Sequence, residues 1–301
     1  MSPDRPVAFV FAGGSVLAAC EIGMLAALAE VGIRPDIVLG SSAGAALGAV
    51  FAAAERARAV AVPYAFWNDF LQSPPFAWTI PRTVYRMLSP AARLQARAAL
   101  LALLDKHLPA ERFEDLPVRF ECNALQLPTL QERWFHSGSL REGLLAATAG
   151  PGILPHASVG GDRYIDGGVR NPVPIDRALE MGARTIYVLQ ISDFERPWRL
   201  PDAVWQTGPF EAALRYRLAK LLGHLPPGVE VHMLPLGRRD VPHGLNLLRK
   251  LYGIDLKHEM RKSEEHIQEA YRATAAYLRF ESIAGKAQRK CTGGRPEAPP
   301  A

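Results

Sequence analysis

Ile37-Val38-Leu39-Gly40-Ser41-Ser42-Ala43-Gly44 is the stretch on which the reading of this chain turns. Its first three residues are apolar and end a buried strand. The Ala-rich run over 43–54 that follows is a helix, because Ala carries the smallest helical penalty. Ser42 therefore falls on a sharp strand-to-helix turn of the form G-x-S-x-G, with a small residue at every position from Gly40 to Gly44. Strand and helix approach closely at such a turn, and only small residues leave room. The turn lifts the serine hydroxyl out of the sheet and sets it at a helix N-terminus, where backbone N–H groups favour developing negative charge. The pattern points to a nucleophilic serine, while an ordinary Gly/Ser turn would carry the same letters.

Working outward, residues 7–11 form a continuous apolar run, as expected of a parallel strand covered on both faces. A turn at 12–15 follows. Ile22, Leu25, Leu28 and Val31 then make a helical stripe that Gly32 and Pro35 close. Strand, helix and strand in this order indicate a parallel α/β sheet. Between 62 and 117 the texture changes: Pro63, Pro74, Pro75 and Pro81 interrupt a segment rich in aromatics, including Phe66, Trp67, Phe70, Phe76, Trp78 and Tyr85. An amphipathic helix over 94–108 ends this segment. It reads either as a helical cap that touches lipid or as ordinary packing around the core. Further on, strands are expected over 118–125, 133–136, 185–191 and 229–235. Helices are expected over 140–149, 172–181, 211–222 and 257–283. The sequence is thus one domain over 1–285 with a cap-like insertion at 62–117, followed by a disordered basic and Pro-rich tail over 286–301.

Composition narrows the function classes. The 301 residues are 49% hydrophobic, enough for a substantial core. The net charge of +5 is partly due to Lys286, Arg289, Lys290 and Arg295 in the tail, so it is not a nucleic-acid footprint. It is compatible with weak attraction to an anionic lipid surface. Cys20, Cys122 and Cys291 are widely spaced, which argues against a disulfide framework or a structural zinc site and fits a reducing compartment. Residues 37–54 are uncharged over nearly a bilayer's length, but their Gly, Ala and Ser content favours strand, turn and helix. Leu17-Ala18-Ala19-Cys20 resembles a lipoprotein cleavage site. Against export, Asp4 offsets Arg5, Gly13-Gly14 breaks the apolar run, and cleavage would delete the first strand. The expectation is a cytoplasmic protein, with peripheral membrane contact left open.

A serine nucleophile needs a positioned base. Asp166 is the best candidate, at the end of a short strand in Tyr164-Ile165-Asp166-Gly167-Gly168, where paired glycines let the backbone turn away. Ile165 and Val169 would supply apolar cover that raises its pKa. A plain Asp-Gly turn is the rival reading. The third piece is Gly13-Gly14-Ser15-Val16, which a parallel sheet places at the same carboxyl edge as Ser42. Its amides are candidate oxyanion donors. A dinucleotide loop is disfavoured there, because G-x-G-x-x-G is absent and no acidic residue ends the second strand.

Taken together, Phe11-Ala12-Gly13-Gly14-Ser15, Ile22-Gly23-Met24-Leu25, Gly40-Ser41-Ser42-Ala43-Gly44, 147–155 and 166–174 resemble the patatin-like phospholipase family in order and spacing, over roughly residues 7–195. The resemblance implies a three-layer α/β fold, with a mostly parallel central sheet flanked by helices and a helical cap region. It implies a Ser–Asp dyad, without histidine, that hydrolyses acyl esters of glycerolipids and needs no metal or cofactor. By that resemblance Ser42 is the nucleophile, Asp166 the base, and Gly13, Gly14, Ser15 and Val16 the oxyanion loop. Gly40 and Gly44 shape the elbow, and Gly167 and Gly168 support the base. The implied partner is a lipid or other ester substrate, with no nucleic acid. The chain departs from the family where Ser15, Leu17 and Ala18 stand in place of the usual glycine, basic residue and glycine. Two other readings stay open: a Ser–Asp–His hydrolase drawing on His224, His232, His243, His258 or His266, and a non-catalytic lipid-binding module.

Overall fold

The central strand β1 (Val7–Phe11) shows why the sheet is buried on both sides. Phe9 and Phe11 belong to one apolar cluster, whereas Ala8 and Val10 belong to a second. A strand whose alternate residues meet two cores must lie between two layers of helices. The computed structural model describes residues 5–73, 89–191, 208–237 and 262–292.

Among these residues, β1 is followed by α1 (Ala19–Glu30), β2 (Ile37–Gly40), α2 (Ala43–Ala53), α3 (Ala61–Gln72), α4 (Pro90–His107), β3 (Arg119–Leu127) and β4 (Gln131–Phe135). Then come α5 (Leu140–Ala147), β5 (Ala157–Val159), β6 (Asp162–Asp166), α6 (Ile175–Glu180), β7 (Thr185–Leu189), α7 (Gly208–Leu222), β8 (Glu230–Met233) and α8 (Ser263–Thr292). The strands form one sheet in the order β5-β6-β3-β2-β1-β7-β8, with β4 also paired to β3. Strands β3, β2, β1, β7 and β8 are mutually parallel. The sheet is mixed, because β4, β5 and β6 form an antiparallel group around the far half of β3.

β3 organises this transition. Its first half pairs in parallel with β2, with Gly40 opposite Cys122. Its second half pairs antiparallel with β6, with Asp166 opposite Ala124. The two partners run toward each other along one strand and end two positions apart.

Several boundaries differ from the sequence expectation for local reasons. The helix expected over 172–181 begins only at Ile175, with Pro174 as its N-cap. Pro172 and Pro174 hold the residues before them out of the α region. Helix α8 continues to Thr292, past the expected start of the tail at 286. Its Ala, Lys, Gln and Arg residues there are good helix formers. Residues 293–301 lie outside the described residues, as do Phe76, Trp78 and Tyr85 of the expected cap. Cys20 is buried within α1.

α1 and α8 cross at Gly23, where an added Cβ would collide with the main-chain carbonyl oxygen of Ile267 and lie 2.8 Å from the Tyr271 nitrogen. Backbone cannot yield as a flexible side chain does. Gly23→Ala is therefore expected to push α8 off α1 and to destabilise the protein by about 1–3 kcal/mol. A lowered urea midpoint with an unchanged slope is the signature to look for.

Candidate active site

Ser42 sits between β2 and α2 with φ 53 and ψ −126, and Leu130 is the one other non-glycine residue with positive φ among the described residues. Such a conformation costs about 1–3 kcal/mol and persists only where the surroundings enforce it. Here they do. A Cβ on Gly44 would lie 2.6 Å from the carbonyl oxygens of Phe11 and Ala12, and one on Gly40 would lie 2.5 Å from the Ala45 Cα. The elbow is thus clamped between β1 and its own helix, at the positively polarised end of α2.

The register on β3 delivers Asp166 to the same point. Ser42 Oγ donates a hydrogen bond to Asp166 Oδ2 at 2.6 Å, across 124 residues of sequence. The Gly168 amide donates to the other carboxylate oxygen, Oδ1, at 2.7 Å. Asp166 is 7% exposed, and burial raises its pKa from the ordinary 3.8 to about 6 even though the bonds from Ser42 and Gly168 pull it down. The cover does not come from Val169, as the sequence suggested, because that side chain is 46% exposed. It comes from the loop after α5: a Cβ on Gly150 would lie 3.6 Å from Asp166 Oδ2, and Ile153 and Leu154 line the cavity shared by Ser42 and Asp166.

Gly13 lies beside the serine, where a Cβ would be 3.1 Å from Ser42 Cβ. Its amide, one of the expected oxyanion donors, is bonded instead to the Pro172 carbonyl at 2.8 Å. Gly14 packs under Ile191, whose side chain occupies the space a Cβ would need. Ser15 and Val16 begin a short 3-10 helix (Ser15–Ala18), so their amides have no acceptor within that helix. Leu17, at the family's basic position, is partly buried against the apolar cluster of Val10 and Ile191, and Ala18 is fully buried.

The structure also assigns work to residues that sequence reasoning passed over. Asn123 Nδ2 donates to the Asn171 carbonyl at 3.0 Å and to Glu132 at 2.8 Å. Its side chain lies where a Cβ on Gly167 would have to go, at 2.5 Å, so it braces the turn that carries Asp166. Asn171 Nδ2 in turn donates to Asp176, which is also held by Arg217 of α7 at 2.6 Å. The available signal was the placement of Glu121 and Asn123 on one face of a strand whose alternate residues, Phe120, Cys122 and Ala124, are apolar.

None of the described histidines is hydrogen-bonded to Ser42 or Asp166. His232 bonds Tyr277 and stacks on Tyr187 at the β8 edge, His224 bonds the Lys220 carbonyl, and His266 is buried on α8. His243 and His258 lie outside the described residues. Among the described residues there is no group of three or more His, Cys, Asp or Glu side chains placed to hold a metal ion. No described helix is long and apolar enough to cross a membrane.

An uncharacterised NTE family protein of Mycobacterium tuberculosis is 31% identical over 178 residues, which is 58% of this chain and 46% of that protein. Mouse patatin-like phospholipase domain-containing protein 7 is 25% identical over 193 residues, 64% of this chain and 14% of that one. The chain thus spans less than half the length of these relatives. Among solved structures, VipD from Legionella pneumophila superposes with a TM-score of 0.43 at 10% identity, covering 91% of this chain and 66% of that one. The patatin-like phospholipase family model matches residues 9–179, more than half of the sequence, from within β1 through β6, and the chain belongs to that family.

Proposed function

We propose that the protein is a serine acyl hydrolase that cleaves carboxylic esters of lipids through a Ser42–Asp166 dyad. One observation carries the proposal: the 2.6 Å hydrogen bond from Ser42 Oγ to a buried carboxylate whose pKa lies near 6. Asp166 takes the Ser42 proton as Oγ attacks the ester carbonyl, so charge moves from the carboxylate toward the substrate oxygen. The amides of Gly14, Ser15 and Val16 are the proposed donors for that oxyanion, each worth about 3 kcal/mol when well aimed. The alcohol leaves with the proton from Asp166, and an acyl-serine remains. Asp166 then draws a proton from water as that water attacks the acyl carbon, and passes it to Ser42 Oγ as the fatty acid leaves, which restores both groups. A base with a pKa near 6 suits this work. It is ionised at neutral pH, yet is more basic than a solvated carboxylate.

Membership of a phospholipase family and the apolar cavity beside Ser42 support a lipid substrate. The basic character of the chain supports contact at an anionic membrane surface. No step of the reaction calls on a metal or cofactor.

Ser42→Ala and Asp166→Asn are each expected to lower kcat/KM for p-nitrophenyl esters by roughly 10³-fold or more, with far-UV circular dichroism unchanged. Full activity in either variant would end the dyad reading. Because the ionised carboxylate is the base, kcat/KM should climb about tenfold per pH unit up to the Asp166 pKa of about 6 and level off above it, as a pH–rate profile would record. Stability should move the other way. Burial raises the native pKa from 3.8 to about 6, so the folded state favours the neutral acid, and stability is lost as pH rises through that range. Asp166→Asn removes the buried charge and should raise stability at pH 8 by up to about 3 kcal/mol. The gain should vanish as the pH approaches 4, which denaturant titrations at the two values would show.

A further inference from the structure

The hairpin of β3 and β4 projects past the edge of the sheet at which Ser42 sits. Cys122 of β3 faces Gly40 at the end of β2, and β3 runs on from there to Leu127. The tip is Pro128-Thr129-Leu130, and all three residues are exposed. Leu130 is 53% exposed and has φ 55, with its amide donating to the Gln126 carbonyl at 2.8 Å. Glycine and asparagine take that conformation readily, whereas a leucine is strained in it. Packing within the fold does not explain a leucine that is both strained and exposed.

The tip is tied to the turn that carries Asp166. Val169, also exposed, follows Gly168, where an added Cβ would lie 3.3 Å from Ser42 Cβ. Arg170, the next residue, donates from Nη1 to the Leu130 carbonyl at 3.4 Å. Apolar side chains scattered singly over a surface need no explanation, but these two are fastened together beside the serine. The charge around them is mainly basic. Arg133 of β4, Arg163 of β6 and Arg170 are exposed, and none of them is paired with a carboxylate among the described residues. Arg163 faces Leu127 at the base of the tip. Asp162 is exposed next to it, whereas Glu132 is turned inward to Asn123 at 2.8 Å. Apolar side chains flanked by unpaired guanidinium groups match a surface of acyl chains beneath anionic headgroups.

We propose that this rim, with Leu130 and Val169 at its centre and Arg133, Arg163 and Arg170 around them, docks on the surface of an anionic lipid bilayer and brings Ser42 to the ester groups there. The proposal rests on the lipid-hydrolase reading for its purpose and adds the surface on which that substrate is met.

Flotation of Ser42→Ala with vesicles tests the docking while leaving the lipid intact. The protein should bind vesicles of phosphatidylglycerol and phosphatidylcholine in equal parts, and bind more weakly to phosphatidylcholine alone or at about 1 M salt. Adding Leu130→Asn should weaken binding about tenfold, with the urea midpoint held or raised because asparagine suits the left-handed region. Adding Arg163→Gln should weaken it about five-fold. With Ser42 in place, both variants should hydrolyse dissolved p-nitrophenyl butyrate at the native rate and lose rate on a phospholipid held in the mixed vesicles. A protein that docks in this way but hydrolyses neither substrate overturns the dyad and retains the rim. One that hydrolyses both, at rates that neither substitution changes, retains the dyad and overturns the rim. Vesicle binding that neither variant weakens overturns the rim as well, and so does a native chain that binds no vesicles and instead self-associates through Leu130. Equal binding to neutral and anionic vesicles overturns the part assigned to the arginines.

Discussion

The arrangement depends on β3 being long enough to serve two partners of opposite direction. Gly40 at the end of β2 faces Cys122, and Asp166 at the end of β6 faces Ala124. A parallel strand and an antiparallel strand thus converge on one short stretch of β3. Ser42 and Asp166 meet there without either side chain needing an unusual reach. Because side chains alternate across a strand, a slip of one residue between β6 and β3 would send Asp166 to the opposite face of the sheet, and one between β2 and β3 would carry the Ser42 elbow away from it. The hydrogen bond between the two groups is therefore a readout of sheet register. It belongs to the global fold and not to a loop that could form it alone.

Chemistry and stability draw on the same enclosure in opposite senses. Gly150, Ile153 and Leu154 keep water from Asp166, which makes its carboxylate a better base and a more costly group to bury. The positive φ of Ser42 is a second local cost. Both are offset by the surrounding layers: two apolar clusters, one on each face of β1, and helices packed on each. A rigid scaffold is what allows a strained serine and a buried charge to persist side by side.

Much of this was legible in the sequence because it is local or motif-bound. The apolar runs marked β1 and β2, and G-x-S-x-G located the elbow. The D-G-G run placed Asp166 at a strand end, and the structure has it there, within hydrogen-bond reach of Ser42. What the sequence did not disclose is long-range. Apolar flanks at Ile165 and Val169 looked sufficient to shield the carboxylate, yet Val169 faces solvent and the shield arrives from residues 150–154. Nothing near Trp67 announces that its indole is held by Ser263, 196 positions away. Nor does a Gly-Gly pair reveal that the first amide is already engaged by Pro172. Periodicity reports which face of an element is apolar; it does not report which other element covers it.

That bond from Gly13 to Pro172 joins the loop after β1 to the segment just beyond the Asp-Gly-Gly turn through main-chain atoms only. No side-chain atom takes part in the bond, although a Cβ at position 13 would crowd Ser42 at 3.1 Å and a proline there would remove the donor. The course of the loop past the serine is therefore fixed partly by backbone alone, while Leu17 and Ala18 are held by the two apolar clusters they pack against and within. The two halves of the site are thus joined by a bond that no side-chain replacement at Ser15, Leu17 or Ala18 removes directly.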